Sequence, residues 1–376
     1  MFIKIFKILA KAVVCLLLVA LVLGLSYRWY LQRQIARERT IHSPQGIDLL
    51  EAVRIGGIDQ WIHVRGENVN NPVLLFIHGG PGIAFIALAG TIQRPWEKHF
   101  TVVQWDQRGA GKTYAANDRE LQRHTMTVAR MEQDALEVVN YLRARFKRNT
   151  IIVVGHSWGT VLGLWLAHEH PEVIAAYVGV AQLVNAKQND TTAFEDALAM
   201  ARAQHWADAI RDLESLRPYP PPDVDLRKGS IAQTWQARLL GPPADRPQFI
   251  DVPRLLSTLL SAPEYSLRDV YGFTRAQVFS LETMIPEVRN LDLATLGTSF
   301  RVPIFFFHGR HDPYCPPALI ERYAATITAP RHELVWFERD GHFPFFEDPQ
   351  GFTDALVASI QSVFIGGELP SPGSHQ

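Results

Sequence analysis

One hydroxyl stands in a setting unlike an ordinary turn. In Gly155-His156-Ser157-Trp158-Gly159 a serine sits between glycines, directly after a β-branched apolar run at 151–154. A solvated turn would normally bring Asn, Asp or Pro as well. Gly-x-Ser-x-Gly between a strand and a helix is the nucleophile-elbow pattern. Its sharp turn exposes the hydroxyl, its small flanking residues avoid clashes, and the helix N-terminus favours developing negative charge. A tight strand–helix turn with an inert serine fits the same five residues, so the decision rests with the rest of the chain.

A nucleophilic serine needs a base, and the base needs a group to orient it. Asp312 follows the apolar stretch "PIFFF" and its turn, and His342 follows "ELVWF". In the order Ser…Asp…His, both fall at the ends of later strand candidates. Those ends converge on the carboxyl edge of an open α/β sheet, where ligands bind. Asp340 is the rival orienter, but its closeness in sequence to His342 disfavours a straight contact to Nδ1. His342 can also be read as a satisfied loop histidine among Asp340, Phe343, Phe345 and Phe346. His156 and His311 read as turn residues. The oxyanion created by attack needs N–H donors. The amide of Trp158 is one, and the glycine loop "HGGPG" at 78–82 offers the other from Gly79 or Gly80. "GKT" at 111–113 lacks the upstream glycine of a phosphate loop. Asp106 and Arg108 of "WDQRG" read as a structural, partly buried pair.

The elements that must position these residues follow from periodicity. "EAVRIGGIDQWIHVRG" alternates on both sides of Gly56-Gly57, which predicts a hairpin. Solid apolar runs at 73–77, 101–105, 151–154 and 174–180 predict buried strands, with helices over 126–146 and from Ser157 to about His168. Strands alternating with amphipathic helices imply a mostly parallel sheet covered by helices on both faces. From 183 to 300 the pattern is helical, broken by "RPYPPPDVD" and "GPPADRPQ", and reads as an insertion. Strand character returns at 302–312 and 332–342, then a helix at about 350–364 and a Gly/Pro/Ser tail, 365–376, expected to be disordered.

The 376 residues carry 37 Lys+Arg against 38 Asp+Glu, a net charge of -1, so no nucleic-acid partner is expected. The 14 histidines form no HExxH and there is no CxxC, so neither a metal nor a cofactor is expected. Cys15 and Cys315 are the only cysteines, and Cys15 lies in the apolar N-terminus, which argues against an internal disulfide. Residues 12–27 hold no charge and would span about 24 Å as a helix, against about 30 Å for a hydrocarbon core. Trp29, Tyr30 and Leu31 extend the run, and Arg28 can snorkel. Because "LGLSYRWY" offers no A-x-A site, 1–31 reads as an uncleaved anchor rather than a signal peptide. Basic residues flank it on both sides, so the side of the membrane stays open. Residues 32–46 read as a polar linker, 47–182 and 301–364 as the core, and 183–300 as a helical cap.

With its residues so assembled, the chain resembles the α/β-hydrolase superfamily over roughly 47–364. "HGGPG", "WDQRGAGKT" and "GHSWGT" together resemble the proline iminopeptidase (prolyl aminopeptidase) branch. The resemblance implies Ser157 as nucleophile, Asp312 as orienter, His342 as base, and Gly79 or Gly80 with Trp158 as the oxyanion hole. In that branch, cap glutamates hold the substrate's free amino group. Glu282 in "FSLETM" is the stand-in this sequence offers, against its reading as an exposed helix glutamate. The expectation is a membrane-anchored, cofactor-free serine hydrolase of a small peptide or ester, with an N-terminal proline aminopeptidase first and a carboxylesterase second. A non-catalytic binding member of the fold is the third reading. It is disfavoured because every catalytic position is filled.

Overall fold

The computed structural model describes residues 2–247 and 252–364; the expected disordered tail lies outside the described residues. Eight strands form one sheet: β1 (Ile47–Ile55), β2 (Ile58–Gly66), β3 (Val73–Ile77), β4 (Thr101–Asp106), β5 (Ile151–His156), β6 (Ile174–Val180), β7 (Ile304–Gly309) and β8 (His332–Phe337). Their order is β1-β2-β4-β3-β5-β6-β7-β8. The β1–β2 hairpin is antiparallel, β2 joins β4 antiparallel, and every later pairing is parallel.

The central strands read as unbroken apolar runs because both of their faces are buried. Leu75, Ile77, Val153, Tyr177 and Phe306 pack on one side, with α4 (Val128–Phe146) and α5 (Gly159–Glu169). Leu74, Phe76, Val154, Val178 and Phe307 pack on the other, with α13 (Pro349–Phe364). Two short helices after β4, α2 (Gly111–Ala116) and α3 (Arg119–Thr125), lead into α4. After β7 comes α11 (Pro317–Ala324), and after β8 the one-turn α12 (Pro344–Glu347).

Between β6 and β7 the chain forms α6 (Ala186–Ala203), α7 (Ala207–Ser215), α8 (Leu226–Leu240), α9 (Val252–Ser261) and α10 (Leu267–Val288). Its two ends are tied together by Ala186 N–H to Leu291 O at 2.9 Å and Leu293 N–H to Val184 O at 2.8 Å. Phe194, Leu198, Leu213 and Ala232 give α6, α7 and α8 a small core of their own. α10 packs instead on α2, and its Ser280 hydroxyl donates to Gly109 O at 2.8 Å.

At the N-terminus, α1 (Phe2–Glu38) is one unbroken helix. It is long and apolar enough to span a membrane. Of the stretch read as a linker, 32–46, the first seven residues continue α1, and the helix docks on the domain around them. Gln32 donates to Ala262 O at 2.6 Å, Arg28 donates to Tyr265 O at 2.6 Å, and Arg39 pairs with Glu264 at 3.4 Å. Arg28 and Gln32, four residues apart, share one face of the helix, and Arg39 follows its last turn.

Asp106 and Arg108 are not partners of each other, contrary to the sequence reading. Arg108 forms a fully buried pair with Asp134 of α4 at 2.9 Å and donates to Gly56 O at 2.8 Å. Gly56 has φ +55, and a Cβ there would lie 1.9 Å from Asp134 Oδ1, so the hairpin turn admits only glycine. Asp106 instead accepts from Lys112 N–H at 2.8 Å and from the Tyr265 hydroxyl at 2.7 Å. Asp134→Ala would leave the Arg108 guanidinium buried without its carboxylate. We expect urea unfolding to show a loss of about 3–5 kcal/mol; a loss below about 1 kcal/mol, typical of an exposed pair, would contradict the buried-pair account.

Candidate active site

Five loops at the carboxyl ends of parallel strands meet above the sheet: 78–82 after β3, 107–110 after β4, the turn at Ser157 after β5, 310–316 after β7 and 338–343 after β8. Ser157 turns the chain from β5 into α5 with φ +52, a left-handed conformation that costs energy for a residue with a side chain. Its N–H donates to Val180 O at 3.0 Å, which pins the turn to β6. It is half-buried, whereas His156 and Trp158 on either side are buried.

Asp312 and His342 are in direct contact. His342 Nδ1 lies 2.9 Å from both Asp312 oxygens, and the aspartate also accepts from the amides of Tyr314 and Cys315 at 2.9 Å each. Burial alone would raise the Asp312 pKa, but the His342 ring, with His308 and the Cys315 amide, holds it below the usual carboxylate value. The rival Asp340 is engaged elsewhere, 3.0 Å from the Arg246 guanidinium.

Ser157 reaches this dyad through its neighbours. His156 Nε2 donates to the backbone oxygen of His342 at 2.9 Å, and the two rings lie 4.9 Å apart. Among the described residues no hydrogen bond joins the Ser157 hydroxyl to His342; contacts of this kind often tighten only when substrate binds. A Cβ on Gly79 would lie 3.0 Å from Ser157 Cβ, so the glycine backbone runs directly beside the serine. Gly80 has φ +120. The amides of Gly79, Gly80 and Trp158 make no backbone hydrogen bond among the described residues, which leaves them available to an oxyanion.

Four positioning residues, Gln107, His78, His156 and Glu347, escaped the sequence reading. Gln107 is the link between both halves of the candidate oxyanion site. Its side-chain amide donates to His78 O at 2.9 Å, and its carbonyl accepts from Trp158 Nε1 at 3.1 Å. The Gln107 N–H donates to His78 Nε2 at 3.3 Å, so Nδ1 carries the proton and donates to Gly79 O at 2.9 Å. Burial pushes the His78 pKa down to about 4, which keeps that tautomer neutral. His156, read as a turn residue, fixes the His342 backbone, and burial holds its pKa well below normal. Glu347 accepts from the amides of Gly341 and Phe343, the two residues that bracket His342. Burial raises its pKa to about 7, and Asp340 and Asp312 add to the shift. The single signal in the sequence was an acid inside the aromatic run "GHFPFFEDP".

Glu282 takes the position its second reading describes, that of an exposed helix glutamate. It is exposed on α10, whose buried residues include Ala276, Phe279, Ser280 and Met284. A cavity of about 350 Å³ reaches His342 between α8 and the 313–314 and 342–347 segments, lined by Gln233, Thr234, Tyr314, Phe343 and Glu347 among others. Asp312, Cys315 and His342 bring potential metal ligands within 4.8 Å of one another. The carboxylate and imidazole are already bonded together, and burial pushes the Cys315 thiol well above its usual pKa, away from the thiolate a metal needs.

Residues 72–216 match the family model described as the alpha/beta hydrolase fold. The probable aminopeptidase YbaC of Bacillus subtilis is 29% identical over 316 residues, covering 84% of this chain and 97% of that protein. A proline iminopeptidase of Heyndrickxia coagulans is 22% identical over 309 residues, 79% of this chain and 93% of its own. The crystal structure of a Mycobacterium smegmatis proline iminopeptidase superposes with a TM-score of 0.57 at 16% identity, covering 84% of this chain and 98% of that one.

Two substitutions rank the acids. Asp312→Asn should lower kcat at neutral pH by about 10⁴-fold by favouring the wrong His342 tautomer, whereas Asp340→Asn should cost far less; the reverse order would give the orienting role to Asp340. Glu347→Gln leaves an NH₂ group where one of the two amides now finds an acceptor. It should lower kcat by up to about 100-fold through misplacement of His342 while KM stays nearly constant, and an unchanged kcat would remove Glu347 from the positioning set.

Proposed function

Taking this chain as an α/β hydrolase by fold that resembles the proline iminopeptidases, we propose that it is a serine hydrolase releasing N-terminal proline from short peptides. The observation that carries the reading is the Asp312–His342 contact at the same sheet edge as a left-handed Ser157 with the Gly79 backbone beside it. Ser157 Oγ attacks the scissile carbonyl carbon and its proton passes to His342 Nε2. Asp312 fixes the other ring nitrogen and stabilises the imidazolium. The amides of Trp158 and of Gly79 or Gly80 hold the oxyanion. Collapse expels the amine, which takes the proton from His342, and a water activated by His342 then hydrolyses the acyl-enzyme. In this reading the helices of 183–300 cap the site, and α1 anchors the enzyme in a membrane.

A carboxylesterase is the second reading, and one observation favours it. The cavity that reaches His342 has Glu347 as its carboxylate, and that group is engaged by two backbone amides. No acid of α6–α10 is among the residues lining it. A substrate ammonium would therefore find hydroxyl and amide groups there, and the like-charged guanidinium of Arg238.

Ser157→Ala should abolish turnover and labelling by a fluorophosphonate, a loss of about 10⁴–10⁶ in kcat, with cooperative unfolding retained. A variant keeping a few per cent of activity would remove the serine from the mechanism, and a wild-type chain that never labels would indicate a binding protein. Turnover of a proline arylamide but not of its N-acetyl form would support the aminopeptidase. Equal turnover of both, or faster cleavage of simple acyl esters, would move the assignment to the esterase.

A further inference from the structure

The apolar stripe of α9 is wider than the part of it that packs on the domain, so one edge of the stripe is left in solvent. Leu259 is buried and Leu255 packs against the core. Beside them on the same apolar stripe, Val252, Leu256 and Leu260 recur every four residues and are 64%, 44% and 36% exposed. On the next helix Leu267, Tyr271 and Val278 are 46%, 53% and 49% exposed.

Around α9 and the first turns of α10 the charges are one-sided, and the exposed acid Glu282 lies further along α10. Between 252 and 280 there are two acids, and both are engaged: Glu264 pairs with Arg39 and Asp269 with Lys112. The exposed charged side chains of the same segment are Arg254, Arg268 and Arg275, the last stacked 4.7 Å over Tyr271. Apolar residues rimmed by arginines match the boundary between acyl chains and anionic headgroups.

Continuity with α1 decides the occupant. The charge-free run of α1 ends at Tyr27, and docking begins at the next residue, where Arg28 donates to Tyr265 O. Trp29 and Tyr30, 56% and 52% exposed, have the character of an interfacial belt and share this level. α1 packs directly on α9, and the Arg28, Gln32 and Arg39 bonds fasten it to residues 262–265, which directly follow α9. A helix leaving a bilayer at this level brings the outer face of α9 to the same headgroup plane.

We propose that the outer face of α9, with Leu267 and Tyr271 of α10, is a second membrane contact that lies in the acyl–headgroup boundary of the leaflet from which α1 emerges. The contact rests on the reading of α1 as an anchor. It seats the domain against an anionic lipid surface, so the helical segment 183–300 faces the bilayer and substrates are recruited from that surface.

The test uses the full chain with Cys15→Ser, reconstituted in vesicles of zwitterionic and anionic phospholipid. A nitroxide is attached in turn at Leu256→Cys, Leu18→Cys and Asp208→Cys, and its collision rates with dissolved oxygen and with a water-soluble nickel chelate are compared. The expected result is an oxygen-dominated ratio at 256, several-fold above that at 208 and in the direction of that at 18. A lipid signal at 18 with a water signal at 256 would overturn the second contact and leave the anchor standing. A water signal at both 18 and 256 would overturn the anchor and the contact with it. Shielding at 256 from both reagents with spin–spin broadening would assign the face to a second copy of this chain and equally overturn the proposal.

Discussion

The approach of β3 to the start of α5 leaves no room for a side chain between them. A Cβ on Gly159 would lie 2.0 Å from Ile77 O, and one on Gly155 would lie 2.6 Å from Gly159 O. Packing this tight lets the chain reverse direction within one residue, and Ser157 takes the left-handed conformation that results. The same closeness sets Gly79 against the serine. The buried strands on both sides resist relaxation, because cores at native density have little free volume to give up. Site geometry is thus inherited from backbone contact between the central strands, with side chains adding the finer placement.

That placement relies on buried polar groups that are kept neutral. His78 and His156 are both enclosed, both have lowered pKa values, and both use a ring N–H to hold a backbone carbonyl. A charged imidazole at either place would repel a protonated His342; a neutral one fixes a loop without adding a field. Gln107 does the same work with an amide, which cannot titrate. Asp312 is the exception: it stays ionised in a buried place because the His342 ring and two amides compensate its desolvation.

Much of this was legible in sequence because it follows from period and from glycine. The strands at 73–77 and 174–180 coincide with the apolar runs, and the Gly56-Gly57 turn joins β1 to β2. Ser157, Asp312 and His342 could be placed because each ends or follows such a run. What escaped depends on contacts distant in the chain. Arg108 finds Asp134 rather than Asp106, and no local spacing announces a carboxylate on the next long helix. Glu347 acts on backbone amides, which leave no trace in residue type. The polar 32–38 segment looked unstructured because its partners, Ala262 and Tyr265, offer main-chain carbonyls.

The single helix α1 joins two regions with opposite tolerance to change. Over 2–27 every side chain is exposed, so angular phase carries little information there and apolar residues are largely interchangeable. Beyond Tyr27 the helix is locked in register by Arg28 and Gln32, and by Arg39 just past its end. One residue inserted at 20 would shift only a length. The same insertion at 30 would rotate part of the docking face by about 100° and separate Arg28 from its partners or Arg39 from its own. The two halves should therefore diverge at different rates among descendants of this gene, with a boundary near residue 28 that no break in secondary structure marks.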